Sequence, residues 1–231
     1  MKRMLAVFAV LVAAASLAAP CRALEVRHGL ELQAGLGHWN EPNVSPEGSE
    51  YRWKPVLGAG WFVEVPAGKS VSVSASLGYR RVGDEVRWST NVGGTDYDSK
   101  IRLDVDQLTL PVQVAWSLPF APAFAIEAGG QGEYLLKAME KAELAAFPAI
   151  RARRPYAVIF EDTSKPFEVT SYTNRLGGSA IAGLSWRTKL FSRDAAVAAH
   201  WEQGLTAIWK DGDDESERQA RRMSAALRVN W

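Results

Sequence analysis

The sequence predicts an all-β chain, an eight-stranded antiparallel up-and-down transmembrane β-barrel of the outer-membrane type. Three observations predict it. Apolar residues recur at every second position along most of the chain from Leu24 to Trp231, the period of a strand with two unlike faces. The links between these segments alternate in length. They are short at Pro66 to Lys69, Ser117 to Pro122 and Thr188 to Asp194, and longer at Asn40 to Arg52, Gly83 to Lys100, Lys137 to Tyr172 and Lys210 to Glu217. Short turns on one side, long loops on the other and both chain ends on the short-turn side are the habit of such barrels. Finally, 9 tryptophans are many for 231 residues. Trp39, Trp116, Trp186, Trp209 and Trp231 fall at expected strand ends, where an aromatic girdle meets the membrane interfaces.

The strands follow in order. Leu24, Val26, Leu30, Leu32, Ala34 and Leu36 share a face opposite Glu25, Arg27, Glu31 and Gln33. Leu57, Ala59, Trp61, Val63 and Val65 alternate with Gly58, Gly60, Phe62 and Glu64. Val71, Val73, Ala75, Leu77 and Tyr79 alternate with serines and Gly78, the clearest single case. Between Ile101 and Trp116 the phase slips, from Ile101, Leu103 and Val105 to Leu108, Leu110, Val112 and Val114, which predicts a β-bulge near Asp106. Phe124, Ile126, Ala128 and Tyr134 oppose Glu127, Gln131 and Glu133. Leu176, Ala180, Ala182, Leu184 and Trp186 oppose Arg175, Ser179 and Arg187, with Ile181 out of place. Val197, Ala199, Trp201 and Leu205 oppose His200 and Glu202, and Met223, Ala225, Leu227, Val229 and Trp231 oppose Arg222, Ser224, Arg228 and Asn230. Residues Gln107 to Ile126 carry no formal charge, but Pro111, Pro119 and Pro122 interrupt them, so they read as two strands and not as a spanning helix.

The 231 residues are 47% apolar and 23% charged, the balance of one folded domain. Met1 to Arg3, an apolar run from Met4 to Ala19 and Pro20-Cys21-Arg22-Ala23 read as an export signal with a small-x-Ala cleavage site. Residues 1–23 are thus expected to be a signal peptide and 24–231 the barrel domain. Pro20 and Arg22 disfavour a membrane-spanning helix there, and Pro20 disfavours acylation of Cys21. Removing Lys2, Arg3 and Arg22 from 27 bases leaves 24 against 26 acids, so the mature chain has no general attraction for nucleic acid. Cys21 is the one cysteine, so no disulfide or cysteine metal site is expected after cleavage. An exported chain of this kind fits a bacterial envelope, and the bacterial outer membrane is the expected location.

Alternation alone does not say which face points inward. A soluble periplasmic lipocalin-like carrier would place its apolar face around a ligand. The inverted arrangement fits better, because the opposite face carries serine, glycine and charges of both signs in place of a lysine-rich coat. Gly58, Gly60, Gly78, Gly129, Gly130, Gly177 and Gly178 fit strong curvature and a crowded interior. Glu31, Glu64, Glu127, Glu133 and Glu202 are expected to form a lumen ionic network with Arg80, Arg175, Arg187, Arg222 and Arg228. Buried ions need partners, so such a lumen is filled and a diffusion pore is not expected. The alternation running into Trp231 resembles an outer-membrane assembly signal, which makes the assembly machinery an expected partner of the C-terminal strand.

Four local patterns resemble the PorT-like family of small bacterial outer-membrane β-barrels. They are Leu108-Thr109-Leu110-Pro111-Val112, the segment Glu127 to Leu136 with its Gly-Gly and Gly-x-Tyr elements, Glu168 to Leu176 ending in Asn-Arg-Leu, and Trp201 to Ile208 containing Gly-Leu-Thr. The chain departs at Gly130, Trp201 and Ala207, where that family often has proline, tyrosine and asparagine. The resemblance implies a small outer-membrane barrel, in some members linked to secretion or surface assembly.

Nucleophilic catalysis would need Ser or Thr beside His and an orienting carboxylate. The 3 histidines, His28, His38 and His200, lie in no such motif. His200 shares a strand face with Glu202, and a paired histidine in a polar lumen is its expected role. No cofactor or metal is expected. The long link from Lys137 is expected to hold a short helix over Lys137 to Phe147, and its Arg151, Arg153 and Arg154 could contact lipopolysaccharide phosphates. Asp211 to Glu217 reads as a solvated acidic tip. The expected function is structural or surface-interacting, non-enzymatic and monomeric, with outer-membrane lipid and lipopolysaccharide as partners. The enzymatic alternative is a lipid A or phospholipid acyl-modifying barrel.

Overall fold

The computed structural model describes residues 26–40, 50–92, 94–143, 166–206 and 219–230. The leader, Arg151, Arg153, Arg154, the acidic run, Trp209 and Trp231 lie outside the described residues, as does the side chain of Trp39. Among the described residues ten strands run in order: β1 (Arg27–Asn40), β2 (Glu50–Arg52), β3 (Lys54–Pro66), β4 (Val71–Val92), β5 (Thr95–Leu118), β6 (Ala121–Glu143), β7 (Phe167–Glu168), β8 (Leu176–Leu190), β9 (Arg193–Gly204) and β10 (Gln219–Asn230). Eight of them form an antiparallel ring in the order β4, β3, β1, β10, β9, β8, β6, β5, closed by pairing of β5 with β4. The short β2 adds to β4, and β7 adds to β6. The first and last long strands meet from Gly29 opposite Asn230 to Asn40 opposite Gln219. Within the ring, closure leaves no edge whose backbone groups would need water.

The connections at one end are tight, as expected. Ala67 and Gly68 donate to the Val71 carbonyl at 2.9 and 3.1 Å. Phe191 and Ser192 take φ of 49° and 65°, so β8 and β9 are joined by a two-residue turn with both central residues left-handed. Gly60 faces Gly78 across β3 and β4, and a Cβ at Gly60 would lie 2.8 Å from the Gly78 Cα. Glycine there permits a close approach of the two neighbouring strands that a side chain would block.

At the other end the structure corrects three expectations. Gly83 to Lys100 is no loop. β4 and β5 stay paired up to Val92 opposite Thr95, and turn at Gly94 with φ of 84°. The helix expected over Lys137 to Phe147 is strand as far as Glu143, which pairs with Lys100. The phase slip in β5 is not a bulge of β5, because the same face points inward from Ile101 to Ala115. The extra residue is Leu136 on β6, since Asp106 faces Lys137 while Gln107 faces Leu135.

All three corrections have one cause. Below Tyr79 and Leu108 the barrel wears apolar residues outside and polar ones inside. Above them it reverses: Val56, Val82, Leu103, Val105, Leu135 and Ala138 are buried within, while Arg81, Arg102 and Asp104 face out. The strands continue through a change of surroundings, and the periodic pattern inverts with them.

The apolar outer surface is broad. Leu32 is 55% exposed, Leu57 60%, Trp116 56% and Leu184 58%. The outward row on β5 runs from Leu108 to Trp116 and that on β1 from Val26 to Leu36, spanning about 26 and 33 Å along the strand. A strand tilt of about 40° reduces these to roughly 20–25 Å, close to the apolar band of an outer-membrane barrel.

Candidate functional site

The lumen is the most chemically distinctive region, and strand parity builds it. Even-numbered residues of β4, β9 and β10 and odd-numbered residues of β1, β5 and β8 point inward at this height. Arg80, Glu202 and Arg222 therefore face the axis together. Glu133 joins them from β6, on the side of Leu136 where odd residues face in. Arg80 Nη1 donates to both oxygens of Glu202 at 2.9 and 2.7 Å, and its Nη2 to Glu133 Oε1 at 3.1 Å. Arg222 Nη1 donates to Glu133 Oε1 at 2.6 Å and to Glu202 Oε2 at 3.2 Å. Two cations meet two carboxylates, so the layer is neutral.

Neutral groups take up most of the remaining lone pairs and donors, with the buried Arg222 Nε left over. Gln33 donates to Glu202 at 3.0 Å, and Gln131 and Ser179 donate to Glu133 at 2.8 and 3.1 Å. The Gln107 amide, oriented with its oxygen toward Arg80, accepts from Nη2 at 2.8 Å and Nε at 3.0 Å. Pairing this extensive allows ions to be stable away from water. A cleft of about 40 Å³ remains beside Glu133 and Arg222, room for roughly one water molecule.

A second ionic layer lies nearer the tight turns. Arg228 donates to Glu31 at 2.6 Å, to Glu127 at 3.1 Å and to Gln113 at 2.6 Å. His200 Nε2 meets Glu127 Oε2 at 2.7 Å. His200 shares its strand face with Glu202, but the partner that the structure gives it in the lumen is Glu127 from β6. Gly183 makes room for the ring, since a Cβ there would lie 2.5 Å from His200 Cδ2. Lower still, Arg187 Nη2 donates to Glu64 at 2.8 Å and to Ser72 at 3.2 Å.

The expected ionic set is thus placed in three groups, with one exception. Arg175 stands before β8, exposed, and makes no ion pair with the set; its carbonyl accepts from Leu135 N–H at 2.8 Å. The strand alternation that suggested it begins only at Leu176. Two of the glycines assigned to the lumen, Gly130 and Gly178, face outward. Gln33 and Gln131, on the polar face in the sequence, share inward parity with the ions, and so do Gln107 and Gln113, which the sequence pattern leaves unassigned. Phe62 and Ile181, out of place by polarity, fill the lumen at 1% and 5% exposure.

Above the ions an apolar plug closes the lumen. Val56, Val82, Leu103, Val105, Leu135 and Ala138 pack together beneath Val169. The Val169 N–H donates to the Ala138 carbonyl at 2.9 Å, and Thr170 Oγ1 accepts from Ala138 N–H at 3.0 Å. On the outer wall at this height Glu85 receives Lys54 at 2.7 Å, Arg102 at 2.7 Å and Arg87 at 2.5 Å. Burial alone would push its carboxyl up; the hydrogen bonds from Lys54, Arg102 and Arg87 outweigh that and hold it down to about 2.

Of the expected girdle, Trp116 and Trp186 face outward near the tight turns, at 56% and 47% exposure. Phe124 stacks on Trp186 with centroids 6.4 Å apart, and Trp61 stacks on His28 at 5.5 Å. At the opposite margin of the apolar surface the Tyr79 hydroxyl donates to Asp106 at 2.6 Å. Among the described residues, no group of three or more His, Cys, Asp or Glu is placed to hold a metal ion.

No protein-family model matches the chain, and no curated protein matches its sequence. Among solved structures it is similar to Ail, the attachment invasion locus protein of Yersinia pestis, at 9% identity and a TM-score of 0.42, covering 90% of this chain and 99% of that one. It is also similar to the outer membrane protein OprG from Pseudomonas aeruginosa, at 10% identity and a TM-score of 0.33, covering 89% and 91%. The translocator domain of the autotransporter NalP from Neisseria meningitidis matches at 11% identity and a TM-score of 0.35, covering 99% and 96%.

Proposed function

We propose that the chain is a non-conducting β-barrel of the bacterial outer membrane with a structural or surface-interaction role. One observation carries this reading: a closed ring whose outer surface is apolar over roughly 20–25 Å while its lumen holds paired ions. A soluble carrier would need the reverse, with Leu32, Leu57 and Leu184 around a cavity and Arg80 and Glu202 in water. In the membrane reading the tight turns face the periplasm. The charged extension of β4, β5 and β6 stands on the cell exterior, where it meets lipopolysaccharide and whatever the surface presents. The PorT-like patterns support a place among small envelope barrels, and the assembly machinery is the proposed partner of the last strand.

Catalysis is not proposed. The imidazole of His200 is enclosed and bonded to Glu127, so it is not presented at the lipid edge where an acyl-modifying enzyme works. The test is in two parts. Detergent-extracted outer membranes should contain a folded species whose gel migration changes on boiling, and the purified barrel should add no steady conductance to a planar bilayer. Absence of the folded species from the membrane fraction removes the reading; a stable open channel removes its non-conducting part.

A further inference from the structure

Above the apolar outer surface, the wall formed by β2 to β6 holds more cations than its carboxylates neutralise. Glu85 is shared by Lys54, Arg87 and Arg102. Glu143 is shared by Lys100 and Lys141, at 2.8 and 3.1 Å. Asp104 takes Arg81 at 3.2 Å, and Glu50 takes Arg52 at 3.6 Å. Seven cations thus share four carboxylates, and the three extra charges sit at Glu85 and Glu143. At the lower margin Asp106, bonded to the Tyr79 hydroxyl, lies opposite Lys137. Asp98 and Asp96 stand higher, toward the turn at Gly94.

The guanidinium donors here are also incompletely used. Arg87 and Arg102 each give only Nε to Glu85. Among the described residues both Nη nitrogens of each make no hydrogen bond, and the two side chains are 39% and 45% exposed. Three cations on one carboxylate repel one another, and a second anion seated on the guanidinium edges relieves that repulsion. Arginine forks match phosphate in geometry. Beside Arg87 the wall is hollowed by about 420 Å³ between Arg52 and Lys100, with Glu50, Asp98 and Glu143 on the rim. Those acids repel a bare polyanion, but they accept hydrogen bonds from sugar hydroxyls.

We propose that this patch binds a phosphorylated sugar of the lipopolysaccharide head group, with the phosphate on Arg87 and Arg102 and the sugar in the hollow. The site rests on the membrane reading given above, which sets this end of the barrel outside the cell. Glu85 lies beyond Tyr79 on β4 by about 20 Å along the strand, or roughly 15 Å along the axis at a tilt of about 40°. Acyl chains end below that height, and head-group sugars with their phosphates occupy it.

The experiment is fluorescence anisotropy of labelled lipopolysaccharide titrated with the full chain folded in uncharged detergent micelles. Intact lipopolysaccharide should bind, and should weaken steeply between about 50 and 200 mM salt. Chemically dephosphorylated lipopolysaccharide should bind about tenfold more weakly, and the double variant Arg87→Gln, Arg102→Gln should lose about as much with the intact ligand. Either single variant leaves Glu85 two cations and the double leaves it Lys54, so the carboxylate is never stranded. Lys69→Gln, exposed at the short-turn end, should change nothing. Equal binding of intact and dephosphorylated lipopolysaccharide, or unaltered affinity in the double variant, overturns the site. Displacement of lipopolysaccharide by inorganic pyrophosphate at equal concentration assigns the patch to soluble phosphates and overturns the glycolipid. A chain that yields no heat-modifiable folded species fails the membrane reading before any titration, so the two failures are distinguishable.

Discussion

Arg80 on β4 and Glu202 on β9 stand on opposite walls, four strands apart in either direction round the ring, yet they meet across the lumen at 2.7 Å. A contact of this kind ties walls that share no backbone hydrogen bond. It also makes the pair costly to break from one side, because the surviving charge stays enclosed.

Glu202→Gln should therefore destabilise the folded barrel by about 3 kcal/mol, leaving Arg80 and Arg222 with one carboxylate between them. Arg80→Met should cost a similar amount, and the double variant should cost less than the two together. Urea unfolding in lipid vesicles, followed by tryptophan fluorescence, measures all three. Strict additivity would contradict the account of the layer as one unit.

The outer surface gives a depth-dependent prediction. Leu32, midway along the apolar row of β1, should cost roughly 2–4 kcal/mol when replaced by arginine, as expected for a lipid-facing midplane site. Ser89→Arg, on the charged extension of β4, should stay within about 0.5 kcal/mol. Equal costs at the two positions would mean that they face the same medium.

These two positions also mark what the sequence made legible. Period-two alternation is strong wherever one face is the apolar outer wall and the other a polar lumen, and there the strands, their number and most of the ionic residues can be read. Above Tyr79 the outer wall is charged and the plug inside is apolar. A reader holding the apolar face fixed then sees a slip at Asp106 and loops at Gly83 and Lys137, although the backbone continues unbroken. Partner choice was less legible still: His200 meets Glu127 and not Glu202 because register across β6, β8 and β9 decides it, and no local spacing encodes that register. Arg175 looks like a lumen residue by its spacing, but the strand alternation begins only one residue after it.

Gly183 tests the fit of the second ionic layer. A Cβ there would lie 2.4 Å from the Ala199 carbonyl oxygen and 2.5 Å from His200 Cδ2. Gly183→Ala should destabilise by about 1–3 kcal/mol through forced displacement of β8 from β9. Chemical denaturation checks the cost, and nuclear magnetic resonance of the His200 ring checks the displacement.

The Glu85 cluster predicts a pH dependence. Its carboxyl is held down to about 2 in the folded chain against about 4.3 in an unfolded one. The stabilisation is therefore fully present above the unfolded value and is lost as pH falls through the folded one. The difference in unfolding free energy between the native chain and Glu85→Gln should be constant from pH 7 to 5 and shrink between about 4.3 and 2. A difference that grows on acidification would have the wrong sign.

Which face of the ring meets lipid is most directly measured by fluorophore scanning along β4. Cys21, the one native cysteine, lies in the expected leader, so single cysteines are placed at each position from Val71 to Tyr79 of the barrel domain, labelled, and exposed to quenchers carried on lipid acyl chains. The account predicts strong quenching at 71, 73, 75, 77 and 79 and little at the serines and Gly78 between them. Quenching at the even positions, or the same quenching at all of them, would contradict it.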